Sequence, residues 1–122
     1  CVPYGKMPFS KEKYLRMFQM CMCDFYDIKQ TFVNAVAGTN PGMIPQIVSD
    51  LGTNIILGAG GAIHGHPMGA KAGAQAMRQA IDATMKGIDL EEYAASHPEL
   101  AAAISVWGVY GKGTNLFARV HD

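Results

Sequence analysis

The part of the sequence with the clearest chemical potential is the glycine-rich segment 58–67, between an apolar run and a long stretch with helical periodicity. Gly60 and Gly61 have no Cβ, so their backbone N–H groups can approach an anion closely, and a following helix N-terminus favours negative charge. The pattern predicts a phosphate cradle. It is not the dinucleotide-binding fingerprint, because Ile63 occupies the position of the last glycine, and it lacks the Gly-Lys-Ser/Thr of a P-loop. A glycine-rich turn without a ligand is the alternative.

The loop over residues 36–42, which comes earlier in the chain, also joins an apolar segment to a predicted helix and contains Gly38 and Gly42. It is called the first loop below, and segment 58–67 is called the second loop. In parallel α/β proteins, ligands bind at the edge where the strands end. In (β/α)8 barrels the loops after the last two strands often hold a phosphate together. The two loops are therefore expected to lie side by side.

Three other residues could carry chemistry. His64 and His66 supply only two metal ligands, whereas zinc sites need three or four, so we interpret both as residues that stabilise their loop. No metal site is predicted in this sequence. Lys6 lies in a proline-flanked loop, where a cation can close over an anionic substrate or simply remain solvated.

The composition disfavours several classes of function. Ten basic and ten acidic side chains cancel, so neither nucleic acid nor an anionic membrane is an expected partner. No apolar run approaches the roughly 18 residues of a membrane span, and no signal peptide is recognisable. The three cysteines fit neither a disulfide framework nor a redox motif, which indicates a cytoplasmic protein. Because the sequence starts at Cys1 instead of Met, we expect an N-terminal truncation.

The elements that must position these loops alternate between helix and strand. Helices are predicted over residues 11–23, 41–51, 68–86, 89–95 and 100–107, and strands over 31–37 and 54–57. Ser10 and Asp89 are predicted helix caps, and Ser96 with Glu99 has the spacing of a capping box. The second strand is continuously apolar, as in a parallel strand covered on both faces. The alternation predicts an α/β fold with a parallel sheet.

Four segments resemble the large subunits of RuBisCO and the RuBisCO-like proteins. In chain order they are Tyr4-Gly5-Lys6-Met7, Asn40-Pro41-Gly42-Met43, residues 60–67 (GGAIHGHP) and residues 96–107 (SHPELAAA to Trp107). They are similar to the family's strand-six loop, the helix after strand seven, the strand-eight loop and a late helix. The resemblance covers about residues 4–107. It implies the C-terminal portion of a (β/α)8 TIM barrel, with strands 7 and 8, their helices and C-terminal helices, followed by a tail over 108–122.

The resemblance also implies a site and a reaction. Lys6 would be catalytic, because the lysine of the family's strand-six loop closes over the substrate and would stabilise enolate charge. Gly60 and Gly61, helped by Gly38 and Ala37, would bind the phosphate of a phosphorylated ketose-type substrate that reacts by enolisation. The family's Mg²⁺ is held by a carbamylated lysine with Asp and Glu upstream of this sequence, so these 122 residues alone are expected to show no magnesium-dependent turnover. A homodimer is expected, as in the family.

Two departures from true carboxylases favour the RuBisCO-like branch, which includes sulfur-salvage enolases and isomerases. Val36 stands where carboxylases have the serine of Ser-Gly-Gly. Pro8 and Phe9 stand where carboxylases have residues that shape the closing loop. The alternatives are a true carbon-fixing RuBisCO and a non-catalytic remnant or interaction module that retains only the phosphate-binding loops.

Overall fold

The computed structural model describes residues 2, 3, 5 and 9–112, which form six α-helices and two β-strands. The helices are α1 (Lys11–Met22), α2 (Ile44–Leu51), α3 (Gly60–His64), α4 (Ala70–Lys86), α5 (Leu90–Ala94) and α6 (Pro98–Trp107). The strands are β1 (Val33–Ala35) and β2 (Ile55–Leu57), and a 3-10 turn over Pro41–Met43 precedes α2. The mixed α/β class follows the prediction, although both strands are shorter than expected.

β1 and β2 pair in parallel, with residues 33–35 opposite residues 55–57. Because side chains alternate across a strand, the outer residues of both strands pack on the helices, whereas Asn34 and Ile56 point the other way. Ile56 is half exposed, at 51% of its surface. The prediction that β2 is covered on both faces is therefore wrong within the described residues, since helices cover one face only.

The apolar side chains form two clusters on either side of α2. One cluster joins α2 to the C-terminal helices: Ile44, Met77, Ala80, Ala83, Leu90, Ala94 and Leu100. The other joins α1 and β1 to the opposite side of α2: Val2, Tyr14, Ala35, Met43, Ile47 and Leu51. Leu57 of β2 packs against both clusters, so the strand pair lies at their junction.

Two predicted helix caps are confirmed. Ser10 Oγ accepts a hydrogen bond from Lys13 N at 3.1 Å, at the start of α1. Asp89 Oδ1 accepts one from Glu91 N at 2.9 Å, at the start of α5. Each side chain satisfies a backbone donor that has no acceptor inside its helix.

The capping box predicted for α6 is wrong. The helix begins at Pro98 and its N-cap is His97, so Ser96 lies one residue outside the cap position. The donor that needs an acceptor, Leu100 N, is bound instead by Gln79 Oε1 from α4 at 3.0 Å. Gln79 Nε2 donates in turn to Glu99 Oε2 at 2.8 Å. Gln79, 21 positions before Leu100 in the sequence, thus replaces the local cap.

α4 lies unusually close to α3. A Cβ added at Gly73 would lie 2.8 Å from the Cα of Ile63 and also collide with the Ile63 carbonyl. The small residues of α4 thus let it approach the backbone of α3 closely at Gly73. α4 ends at Lys86 and is capped by Gly87, whose φ of 68° lies in the left-handed region that favours glycine. No helix in the described part is long and apolar enough to cross a membrane.

Residues 108–112, the described part of the predicted tail, contact the preceding elements. Tyr110 N donates to Gly42 O at 3.1 Å, and the Lys112 ammonium pairs with the Asp89 carboxylate. The hydrogen bond from Lys112, followed by that from Glu91 N, lowers the pKa of Asp89 below its ordinary value, and the same pair raises the pKa of Lys112. A lowered carboxyl pKa means that this contact weakens only as the pH falls through that lowered value.

Candidate functional site

The two loops singled out in the sequence leave the same edge of the sheet. β1 and β2 are parallel, so the segments after Ala35 and Leu57 both begin at the strands' C-terminal ends. Gly58 N donates to Ala35 O at 3.0 Å, which ties the second loop to the first strand. This is the edge at which parallel α/β proteins bind ligands.

The two loops and the end of α6 surround a cavity of about 620 Å³. It is lined by Val36, Ala37, Gly38, Thr39, Asn40, Gly58, Ala59, Gly60, Gly61, Ala62, Gly65, Val106 and Trp107. All four residues predicted to contact phosphate therefore line this one cavity. No lining side chain carries a charge, so an anion held by these residues would depend on backbone and neutral polar donors.

The second loop contains a helix that was not predicted. The segment expected to remain a loop ahead of the long helix forms α3 from Gly60, because its small residues allow a tight turn directly after β2. The first hydrogen bond of α3 runs from Ile63 N to Ala59 O at 3.0 Å. The N–H groups of Gly60, Gly61 and Ala62 consequently have no acceptor inside the helix.

The first loop has a strained backbone and two buried polar side chains. Ala37 has a φ of 74°, a conformation that costs a residue with a Cβ about 1–2 kcal/mol. Thr39 Oγ1 donates to Ala35 O at 3.2 Å. The amide oxygen and nitrogen of Asn40 are buried and have no hydrogen-bond partner among the described residues. Neither Thr39 nor Asn40 was predicted as a site residue, although both lie in the predicted loop, because the prediction considered only the glycines as phosphate contacts.

The N-terminal segment begins next to the first loop. Val2 N donates to Val36 O at 3.0 Å, and a Cβ added at Gly5 would collide with the carbonyl oxygen of Ala37. The chain therefore runs along the first loop just before Lys6. Lys6 itself lies outside the described residues, so its catalytic role stays a prediction.

His66 connects the second loop to α6. Its ring is buried, with Nδ1 accepting from Met68 N at 3.1 Å. Because Nδ1 accepts, Nε2 carries the proton and donates to Glu99 O at 3.0 Å. The ring centroid lies 6.2 Å from that of Trp107. Nδ1 therefore fixes the ring within its own loop, and Nε2 joins that loop to α6, the helix that carries Trp107.

The described residues contain no group of three or more His, Cys, Asp and Glu side chains that could hold a metal ion. The resemblance places the Mg²⁺ ligands upstream of this sequence, and that placement stays a prediction.

Gln79→Leu is expected to loosen α6. Leu100 N would lose its acceptor, and a buried donor without a partner costs about 1–3 kcal/mol of the free energy of unfolding. The hydrogen bond from Gln79 is the main reason that the pKa of Glu99 is lowered, so this pKa should rise towards its ordinary value. Chemical denaturation would measure stability, and an NMR titration would measure the pKa.

Gln75→Leu, at an exposed position on the same helix, is the matched control and should leave both quantities near wild type. In the wild type, the hydrogen bond between Gln79 and Glu99 stabilises the fold at neutral pH. This stabilisation is lost as the pH falls through the lowered pKa of Glu99. An unchanged Glu99 pKa in Gln79→Leu would contradict the predicted contact.

Comparison with known proteins identifies the family. A family model described as ribulose bisphosphate carboxylase large chain, catalytic domain, matches residues 15–107. The ribulose bisphosphate carboxylase of Pyrococcus furiosus is 40% identical over 104 residues, covering 85% of this chain and 25% of that protein. The 2,3-diketo-5-methylthiopentyl-1-phosphate enolase of Bacillus pumilus is 38% identical over 106 residues, covering 87% and 26%. The crystal structure of octameric RuBisCO from Pyrococcus horikoshii matches with a TM-score of 0.80 and 38% identity, covering 85% of this chain and 25% of that one.

The chain belongs to the RuBisCO large-chain family, because the family model matches most of its length. The resemblance seen in the sequence is thereby confirmed. The chain spans about a quarter of the length of the relatives it matches. These relatives include a carboxylase and an enolase, so family membership alone leaves both activities open.

Proposed function

We propose that this chain is the C-terminal, phosphate-binding part of a RuBisCO-like enzyme that acts by enolisation on a phosphorylated ketose-type substrate. β1 and β2 would be strands 7 and 8 of a (β/α)8 barrel. The observation that carries the proposal is the cavity between their C-terminal loops, where Ala37, Gly38, Gly60 and Gly61 meet. Its volume lies within the 300–1,000 Å³ that is usual for small-molecule sites.

Phosphate recognition would rest on backbone N–H groups. Those of Gly60 and Gly61 have no acceptor inside α3, and the glycines present no side chain that would keep an oxygen away. Gly38 and Ala37 would add contacts from the first loop. Because the lining is uncharged, a positive charge from elsewhere would improve binding, and Lys6 follows the segment that runs along Ala37.

The chemistry would be shared with residues outside the described part. Enolisation transfers a proton from the carbon beside a carbonyl to a general base, which would lie outside the described cavity lining, and leaves negative charge on the carbonyl oxygen. Lys6 would stabilise that charge when its loop closes, while the phosphate site fixes the other end of the substrate. Mg²⁺ would be bound by residues outside this sequence, in a cytoplasmic homodimer, and no step assigned to this chain uses it.

The RuBisCO-like branch is favoured by Val36. A Cβ at Gly58 would collide with Cγ1 of Val36, so this apolar side chain fills the space beside the second loop, where the carboxylases have a serine hydroxyl. A methyl group cannot donate a hydrogen bond to substrate. The enolase of Bacillus pumilus, a relative that acts on a phosphorylated diketone according to its name, fits this branch.

The test uses the protein at its native length. Ribulose bisphosphate and 2,3-diketo-5-methylthiopentyl-1-phosphate would each be incubated in deuterated water with and without Mg²⁺, and deuterium incorporation would be followed by NMR. Magnesium-dependent exchange with the diketone phosphate, without carbon dioxide fixation on the bisphosphate, is expected. Carbon dioxide fixation would favour the carboxylase. Phosphate binding without exchange would favour a non-catalytic module, and absence of both would overturn the proposal.

A further inference from the structure

The cavity between the two loops is too large for a phosphate group alone. A phosphoryl group is a small fraction of a drug-sized ligand, and about 620 Å³ is the size of a pocket that encloses such a ligand. The glycine loops account for one part of the lining. Val106 and Trp107, at the end of α6, form another part, and neither presents a charge.

Trp107 is the only tryptophan in the sequence. Its indole ring offers a broad apolar face and a single N–H donor, a combination that packs against carbon atoms and still tolerates a neighbouring polar group. In a cavity with uncharged walls, such a face would contact the carbon skeleton of a ligand whose phosphate is held by the loops.

Contacts on several sides hold the backbone that carries Trp107. His66, with both ring nitrogens hydrogen-bonded, lies beside the indole. After Trp107, Gly108 N donates to Ile104 O at 2.7 Å, and Tyr110 N donates to Gly42 O at 3.1 Å. A Cβ at Gly42 would also collide with the backbone of Gly108. Because the backbone beside the indole is already held in this way, less of the chain has to become ordered when a ligand contacts Trp107.

We propose that Trp107 is a specificity-determining residue, whose indole packs on the carbon skeleton next to the bound phosphate. The inference rests on the proposed function and extends it: the site should prefer a phosphate monoester with a short carbon chain over inorganic phosphate. His66 would be a positioning residue, since it acts through the indole.

Isothermal titration calorimetry on the protein at its native length tests the proposal with two probes, inorganic phosphate and 2,3-diketo-5-methylthiopentyl-1-phosphate. Trp107→Ala is expected to weaken binding of the ester by roughly three- to tenfold, the range for loss of one aromatic contact, and to leave the Kd of inorganic phosphate unchanged. Trp107→Phe should retain most of the affinity. Phe32→Ala, which removes an exposed aromatic ring outside the cavity lining, is the matched control.

Melting temperatures of all variants would show whether each is folded. Selective loss of ester binding in folded Trp107→Ala, with retention in Trp107→Phe, supports the proposal. An equal loss for both probes, or no loss for either, overturns it while leaving the phosphate site intact. If the wild-type protein binds neither probe, the proposed function itself fails, and this inference fails with it.

Discussion

Gly61→Asp is expected to weaken binding of a sugar phosphate by at least about a hundredfold in the protein at its native length. Gly61 lines the cavity where the two strand ends meet, and none of the lining residues could neutralise a new carboxylate. Two unit charges about 4 Å apart repel by roughly 4 kcal/mol near a protein surface, which exceeds the energy of a hundredfold change. Calorimetry with 2,3-diketo-5-methylthiopentyl-1-phosphate would measure the loss.

The control is Gly61→Asn, which has nearly the same size without the charge. Both side chains would lie in the first turn of α3, where an acidic residue is usually favourable for a helix. Gly61→Asp should therefore remain folded, and its melting temperature would confirm this. If Asp and Asn reduce affinity equally, size and not charge is responsible, and the anion site is misplaced. If neither changes affinity, the second loop does not contact the ligand.

Local patterns in the sequence were sufficient to predict most of the elements. The caps at Ser10 and Asp89 are formed by residues within three positions of their acceptor or donor, so local sequence specifies them. The start of α6 was not predictable in this way, because the acceptor for Leu100 N comes from Gln79 on another helix. The exposure of Ile56 was also missed, since an apolar strand residue gives no sign of whether a second layer covers it.

In the candidate site, too, residues within local sequence patterns were predicted, whereas a residue brought there by tertiary packing was not. Glycine patterns at strand ends drew attention to Gly38, Gly60 and Gly61, which the structure places around one cavity. Trp107 is far from them in sequence and reaches the cavity only because α6 packs against α4 and His66 binds Glu99 O. The composition of α6 could not reveal that contact. Lys6 was chosen by resemblance, and its place relative to the cavity stays a prediction.

Gly73→Ala is expected to destabilise the protein by about 1–2 kcal/mol and to weaken phosphate binding as well. An added Cβ would lie 2.8 Å from the Cα of Ile63 and collide with the Ile63 carbonyl, so backbone and not a flexible side chain would have to move. Overpacking of this kind costs about 1–3 kcal/mol or more. The gain of about 0.5–1 kcal/mol that alanine normally brings to a helix offsets only part of the cost. Ile63 belongs to α3, so its displacement should disturb Gly60 and Gly61.

Gly60→Ala is the matched control for stability. Gly60 also lies in a helix, but a Cβ there would meet nothing within 4 Å. Gly60→Ala should therefore leave the midpoint of urea unfolding unchanged or raise it slightly, whereas Gly73→Ala should lower it. Hydrogen exchange would show whether α3 is the element released: its amides should lose protection in Gly73→Ala before those of α5. If the two variants were equally stable, α3 would not be packed against α4 as closely as described. The predicted effect of Gly73→Ala on phosphate binding would then have no structural basis.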